Sequence, residues 1–432
     1  MKRHVLWRWR RWAPGVAAVA ASGFIQLGAQ EAGPAPGQGV TLDQLVRLAL
    51  EHSPELRAAQ AGVDAAAGRA VQSRLWSNPE LELKAEEWPV GGGRGFADAK
   101  QTVGVAQTVP FPGKKSMERR IGGAEVKLSA EELALRRTEV VRDVKAGFFR
   151  VLASERRVEV ARELAEVARA SAEAATKRVE AGAAPYQEQL RAEVERDRAQ
   201  AELRRFESEL AALRWTLATR VGLPELSEAR LVGALSESAQ KALLDNDGRG
   251  LLASHPSLRG AQAALERARL AGRRARLEPY PDVRVAVAGG RLGETDQSIV
   301  EVGIALPLPL LDRGKGRQAE GGANVRMAEE ELRRVRLELQ RQWAGAQSRY
   351  RAAAEQVAVY RERALPKAAE ALRLVQTGFE EGKFEFIDQA DTQRVAAETR
   401  LAYHEALLEL NLAQVELEAL LEPQTPEPPA VP

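Results

Sequence analysis

The 432-residue chain has no cysteine. That absence rules out disulfides, thiolate metal sites and cysteine nucleophiles, along with any lipid anchor carried on cysteine. Aromatic residues are scarce, at 5%, while charged residues reach 29%. A chain poor in bulky core formers and rich in Ala, Glu, Arg and Leu has the composition of long helices and coiled coils. Past the N-terminus no apolar run reaches the ~18 residues of a transmembrane helix. No Ser/His/Asp set, phosphate loop or paired catalytic acid stands out, and the glycine runs Gly91–Gly93 and Gly289-Gly290 lie between strand patterns as turns. The expectation is a protein that performs no chemistry and holds no cofactor and no metal.

The N-terminus carries a targeting pattern. Lys2, Arg3, Arg8, Arg10 and Arg11 form a basic region, residues 13–27 are mostly apolar, and Leu27-Gly28-Ala29 suits a cleavage site. Residues 1–29 therefore read as a secretory signal. Losing those five positive charges takes the formal net charge from +2 to −3, which argues against a nucleic-acid partner. A secreted chain without a membrane-spanning helix is periplasmic, extracellular, or set in the outer membrane as strands.

Two joins organise the rest. Val103-Gly-Val-Ala-Gln-Thr-Val-Pro-Phe-Pro-Gly-Lys114 begins as a strand, stops at Pro110 and Pro112, and opens a stretch of about seventy residues without proline. Val302 to Lys315 repeats the pattern, again ahead of a long helical stretch. The first long helix carries Val144, Val151, Val158, Ala165, Ala172 and Val179 seven apart, with Gly147, Ser154, Ala161, Ala168 and Ala175 three residues after the first five. Such an a/d seam with small d residues predicts close left-handed packing over ~100 Å. The chain turns at residues 181–185, and the return helix, with its own seam through Leu203, Phe206, Leu210, Leu213 and Leu217, ends at Gly222. Thr41 is the expected N-cap of a short helix interrupted by His52-Ser53-Pro54. Leu81, Leu83 and Ala85 alternate with charged residues as a strand.

The order then restarts. Pro54 to Gln60 matches Pro256 to Gln262 and Asn78-Pro79 matches Tyr280-Pro281, both offset by 202; Val103-Gly104 matches Val302-Gly303 and Pro110 matches Pro309, both offset by 199; Gly182 and Gly382 are 200 apart. Constant spacing of this kind marks an internal duplication. The expected organisation is a disordered segment 30–40, a first repeat 41–226, a linker 227–250 with weak helical pattern, a second repeat 251–422 and a proline-rich tail 423–432. The fold class is mostly α with a small β part: helix, strand, strand, long helix and return helix, twice. Pro366 inside the second long helix predicts a kink. Four strands cannot close a membrane barrel, since about eight is the minimum, so either the strands sit in water or several chains pool them. Leu83, Val285 and Val302 are the expected lipid-facing positions, and Trp76, Trp88 and Tyr280 are placed as interface aromatics.

The mature chain resembles the TolC family of outer-membrane efflux channels, from Thr41-Leu-Asp-Gln-Leu to about Leu421. The motif Gln107-Thr-Val-Pro-Phe-Pro-Gly-Lys114 and its partner Leu306 to Lys315 are similar to the heavy-metal, CzcC-like branch. The resemblance implies a homotrimer with a shared twelve-stranded barrel in outer-membrane lipid and an α-helical tunnel through the periplasm. It also implies a periplasmic adaptor and an inner-membrane pump as partners, an adaptor-contacting role for the tips at Gly182 and Gly382, and an aspartate ring from Asp388 and Asp391 at the periplasmic aperture. The first repeat has Glu188 and Arg191 at the places matching those aspartates. His52 and His255, each ahead of a proline turn, are expected to be structural rather than metal ligands, and His404 is expected on a solvated face. The implied function is a passive export duct of a tripartite system for heavy-metal cations. The alternatives are a drug or protein-secretion channel of the same fold, or a periplasmic coiled-coil adaptor or scaffold.

Overall fold

A computed structural model describes residues 39–87, 98–240, 243, 252–293, 295–381 and 383–421. The expected signal, residues 30–38 of the expected disordered segment, Trp88, Gly382 and the tail lie outside the described residues; Val40, also expected to be disordered, is instead buried in a strand. The chain opens with β1 (Val40–Thr41) and α1 (Leu42–His52). Thr41 caps α1 in a full capping box: its backbone N–H donates to Gln44 Oε1 at 2.9 Å and its Oγ1 accepts the Gln44 N–H at 3.4 Å. Ser53 separates α1 from α2 (Pro54–Arg74). Strands β2 (Glu80–Glu86) and β3 (Lys100–Val109) lead into α3, a 67-residue helix from Lys114 to Glu180. Its hairpin partner is α4 (Tyr186–Val221).

The second half repeats the order as α5 (Pro256–Ala275), β5 (Val283–Leu292), β6 (Gln297–Ala305), α6 (Lys315–Val359), α7 (Leu365–Glu380) and α8 (Phe386–Leu421). A π-turn over Tyr360–Ala364 joins α6 to α7, with the Leu365 N–H bonded to Tyr360 O. Pro366 has no N–H to give the helical ladder, and the wider turn just before it absorbs that loss. Among the described residues no helix is long and apolar enough to cross a membrane.

Helix α3 is the axis of the packing. It is flanked by α2 and α4 on one side and by α5 and α8 on the other; α5 and α8 in turn lie against α6, and α8 against α7. The helical layer thus runs α2–α3–α5–α6 near the strands and α4–α3–α8–α7 toward the hairpin ends, with α2 and α4 at one edge and α6 and α7 at the other. The strands form one antiparallel sheet in the order β2–β3–β5–β6, which leaves β2 and β6 unpaired at its edges.

The core changes character along this axis. Midway along, Val40, Leu45, Phe148, Val151, Leu217 and Val221 pack together, and across α6 and α8 lie Trp343, Tyr350, Leu410 and Leu417. Farther out the buried cluster is Val158, Ala161 and Phe206, and near the hairpin end it is Ala172, Ala175 and Ala192. These are seam positions of the heptad, and alanine there lets helix axes approach toward the short end of the ~8–10 Å range. At Gly147 an added Cβ would lie 3.0 Å from Leu217 Cδ1, so glycine fits the seam where a large residue faces it.

The exposed faces carry ion pairs within single helices, among them Arg136–Glu139, Arg156–Glu159, Arg169–Glu166, Arg334–Glu331, Arg341–Glu338 and Arg373–Glu370. Each joins residues three apart, the spacing that puts them on one face.

Between the halves, residues 229–240 are extended apart from a bend at Ser238 and Leu243 is helical; the other residues of 241–250 in the expected linker lie outside the described residues. Strand β4 (Leu231–Val232) pairs parallel with β1, Val40 opposite Leu231. Two buried side chains strap down the chain after β4. Asn411 Oδ1 accepts the Ser236 N–H at 3.0 Å while its Nδ2 donates to Ser236 O at 3.1 Å, and Tyr350 Oη accepts the Gln240 N–H at 2.7 Å. Asn411→Leu keeps the branched outline of the side chain and leaves both Ser236 groups unpaired, at a cost of about 1–3 kcal/mol. The expected outcome is a lower thermal midpoint of the purified protein; an unchanged midpoint would show that Asn411 does not hold the strap.

Candidate functional site: a two-faced sheet and the hairpin ends

The sheet has two chemically opposite faces, and strand alternation builds both. Pairing places Leu83 opposite Val103, Val103 opposite Gly289, Val105 opposite Val287 and Val287 opposite Val302. Leu81, Leu83, Val103, Val105, Val287, Val300, Val302 and Ile304 therefore share one face, with Leu83 72% and Val302 70% exposed. Val285, opposite Gln107 and Ile304, lies on the same face and is half-buried.

The other face is ionic across all four strands. Arg284 Nη1 donates to Glu80 at 2.7 Å and Nη2 to Glu82, Lys84 lies 3.1 Å from Glu82, and Lys100 bridges Glu86 at 3.6 Å and Glu301. The charged alternation of β2 showed in the sequence; its partners on β3, β5 and β6 did not, because they lie far away along the chain. An apolar face this size suits hydrocarbon and a paired ionic face suits water, which is the arrangement of a barrel wall. Trp76 and Tyr280 precede β2 and β5 at the helical end of the sheet. Both are exposed, and the Tyr280 ring stacks on Phe111 with centroids 4.6 Å apart.

At the opposite end, Gly182 ends the α3 turn with φ of 68°, the left-handed conformation that favours glycine. The Gly182 N–H bonds to Val179 O at 3.0 Å and the Ala183 N–H to Arg178 O at 2.8 Å, a Schellman closure. In the second hairpin the Lys383 N–H reaches Gly378 O at 2.7 Å in the corresponding way.

Asp388 and Asp391 are exposed in the first turns of α8, and each has a partner nearby. Asp388 accepts the Glu385 N–H at 3.0 Å, and Asp391 pairs with Arg394, which also reaches Glu398 at 3.2 Å. Glu188, at the matching place in α4, pairs with Arg178 at 2.9 Å. Between α4 and α8 runs an open groove lined by Leu190, Val194, Ile387, Ala390 and Asp391. Its three large apolar side chains are exposed. Their spacing of four on α4, outside that helix's seam, is the signal that sequence reasoning passed over.

The His52 carbonyl accepts Arg57 Nη2 at 2.6 Å, and His255 caps α5, its Nδ1 accepting the Ser257 N–H at 3.2 Å. His404 is half-buried against Tyr403 rather than on a solvated face, and burial, then Arg156, lowers its pKa. Among the described residues no group of three His, Asp or Glu is placed to hold a metal ion.

Comparison with known proteins decides the family. The profile of the Outer membrane efflux protein family matches residues 45–223 and 249–422. The chain belongs to that family. It is 28% identical over 371 residues to the cobalt-zinc-cadmium resistance protein CzcC of Cupriavidus metallidurans, covering 84% of this chain and 85% of that one. Its fold is similar to that of the outer-membrane protein VceC of Vibrio cholerae, with a TM-score of 0.75 at 18% identity over 89% of this chain and 97% of that one. It is also similar to the outer-membrane channel OprN, with a TM-score of 0.76 at 18% identity over 89% and 90% of the two chains. The protein is an outer-membrane efflux channel that extends into the periplasm.

Two outcomes are expected from this geometry. Arginine in place of Leu83, Val285 or Val302 should cost about 2–4 kcal/mol near mid-bilayer and lower the yield of folded protein in outer membranes. Unchanged yield from all three would put that face in water. Burial, and then the neighbouring Arg259, holds the His255 pKa down to about 4, whereas the unfolded chain titrates near ~6.5. The unfolded state binds the extra proton in that window, so stability is intact above about 6.5 and is lost as pH falls toward about 4. His255→Asn keeps a cap acceptor without the titration. Its thermal midpoint should therefore fall less on acidification than the parent's; equal falls would remove His255 from the acid response.

Proposed function

We propose that three copies of this chain pool their strands into one twelve-stranded barrel and their helices into one periplasmic tunnel, forming a passive export duct for heavy-metal cations. The observation that carries the assembly is that both layers end in open edges, in the sheet at β2 and β6 and in the helices at α2/α4 and α6/α7. A sheet left open in lipid would strand its edge N–H and C=O groups, and closure by copies pairs them. The ionic face would then line the barrel and the apolar face meet lipid. Trp76 and Tyr280 would lie at the membrane boundary. Likeness to CzcC supports cobalt, zinc or cadmium as cargo over drugs or secreted proteins. In this reading residues 1–29 are removed on secretion, the two repeats 41–226 and 251–422 supply matching struts, and a pump and adaptor supply energy and contact. The adaptor would meet the hairpin ends at Gly182 and Gly382, and the Leu190 and Ile387 groove would add apolar surface for it.

Three-fold symmetry would bring Asp388 and Asp391 from each copy around one axis. Carboxylates ringed in a narrow pore attract cations, and Arg394 competes for Asp391 as a tethered cation of its own. The test is mass measurement of the detergent-solubilised protein together with single-channel current in planar bilayers. Three copies per particle, cation preference, and block by divalent cations from the periplasmic side are expected. Asp388→Ala with Asp391→Ala should weaken both preference and block. A particle of one copy, or a double variant with the parent's selectivity and block, would overturn the assembly or the ring respectively.

A further inference from the structure

The two halves of the chain meet along β3 and β5, and this seam is closed by specific contacts at its helical end. Asp282, next after Pro281, accepts the Phe111 N–H at 2.8 Å and Lys114 Nζ at 2.9 Å on the same oxygen, and Phe111 stacks on Tyr280. Lys114, at the head of α3, is only 5% exposed as a result. The second join has the same parts and no cover. Gly314 precedes Lys315 with φ of 67°, as Gly113 precedes Lys114 with φ of 98°. Yet Lys315 is exposed, Leu306, Leu308 and Leu310 are exposed, and Leu311 is 101% exposed. The part that would cover them also recurs, because Pro79-Glu80 repeats Pro281-Asp282 at the head of β2. Within one chain, though, β2 and β6 lie at opposite edges of the sheet.

We infer that the β3–β5 seam is the template of the seam between copies: Lys315 of one copy pairs with Glu80 of the next, and β6 runs on through Leu308 against β2. This rests on the three-copy reading above and specifies its contacts. Inside the chain Val105 faces Val287, Gln107 faces Val285 and Val109 faces Val283. Carried across by the repeat offsets, Ile304 faces Ala85, Leu306 faces Leu83 and Leu308 faces Leu81 of the neighbour. Two independent features agree with this register. It keeps every apolar residue on the apolar face, which a slip by one residue would reverse. Pro307 and Pro309 have no N–H, while Leu306 and Leu308 keep theirs; an antiparallel partner on one side uses alternate residues in that way. Glu80 lies on the ionic face with Arg284 on one of its oxygens, as Asp282 stands at the head of β5 beside Lys114.

The absence of native cysteine makes the test clean. Paired variants Ile304→Cys with Ala85→Cys, and Leu306→Cys with Leu83→Cys, would be oxidised in outer membranes and run on non-reducing gels. Both should link copies into a ladder ending at three, roughly tenfold more than the out-of-step pairs Ile304→Cys with Leu83→Cys and Leu306→Cys with Ala85→Cys, whose Cα atoms exceed disulfide reach. All four positions are on the exposed face or at the open edge, so folding of the single chain is not at stake. Lys315→Met should lower the temperature at which the assembled particle separates, and Lys315→Arg should retain it. Stronger linking by the out-of-step pairs would overturn the register. A three-copy particle that neither matched pair links would overturn the seam and leave the duct standing, whereas a one-copy particle would overturn both. Equal separation temperatures for Lys315→Met and the parent would remove the ion pair.

Discussion

Hydrocarbon offers no partner to a backbone N–H or C=O, and the sheet of this protein is arranged around that constraint. The two hairpins bond to each other through β3 and β5, which settles the middle of the sheet. Its edges stay open because four strands are too few to meet around a lumen. The same chain solves the solvent problem by alternation: valine, leucine and isoleucine point one way, and a paired network of Arg284, Lys100 and four glutamates points the other. An apolar face suits lipid and an ionic face suits water, so the two together fit a wall between them.

The helical part faces a different problem, which is reach. A 67-residue helix cannot be held by a single globular core, so α3 is supported in succession by α2, α4, α5 and α8. The apolar volume is concentrated midway, where Phe148, Leu217, Trp343 and Tyr350 gather, and dwindles to alanine near the turn at Gly182. Burial of large side chains is worth roughly 1.5–3 kcal/mol each, and alanine far less. Stability is accordingly graded, greatest at the waist and least at the hairpin ends, where the groove and the two aspartates lie.

Much of this was legible in the sequence because it is written in local signals. A proline pair ends β3, a seven-residue period with small d residues sets the α3 seam, and Thr41 with Gln44 fixes the start of α1. The sharing of one face by Leu83, Val285 and Val302 came from alternation alone. What stayed hidden depends on contacts distant in the chain. The strap after β4 is held by Asn411 and Tyr350, side chains 175 and 110 residues from their partners, and its own residues carry no hint of that. Lys100 finds Glu301 across the intervening strand β5, and no spacing rule pairs them. Pro366 announced a disturbance, while the π-turn that accommodates it is set by the bond from Leu365 back to Tyr360. His404 looked solvated beside Glu405, but the neighbouring Tyr403 ring and packed helices shelter it.

The ion pairs formed within single helices have a consequence for the field around them. Arg136, Arg156, Arg169, Arg334, Arg341 and Arg373 each spend their charge on a glutamate of their own helix. A surface neutralised locally in this way casts little field beyond its own helix, and salt screens the remainder within about 10 Å. Added length then adds charged residues without adding net attraction or repulsion between neighbouring helices.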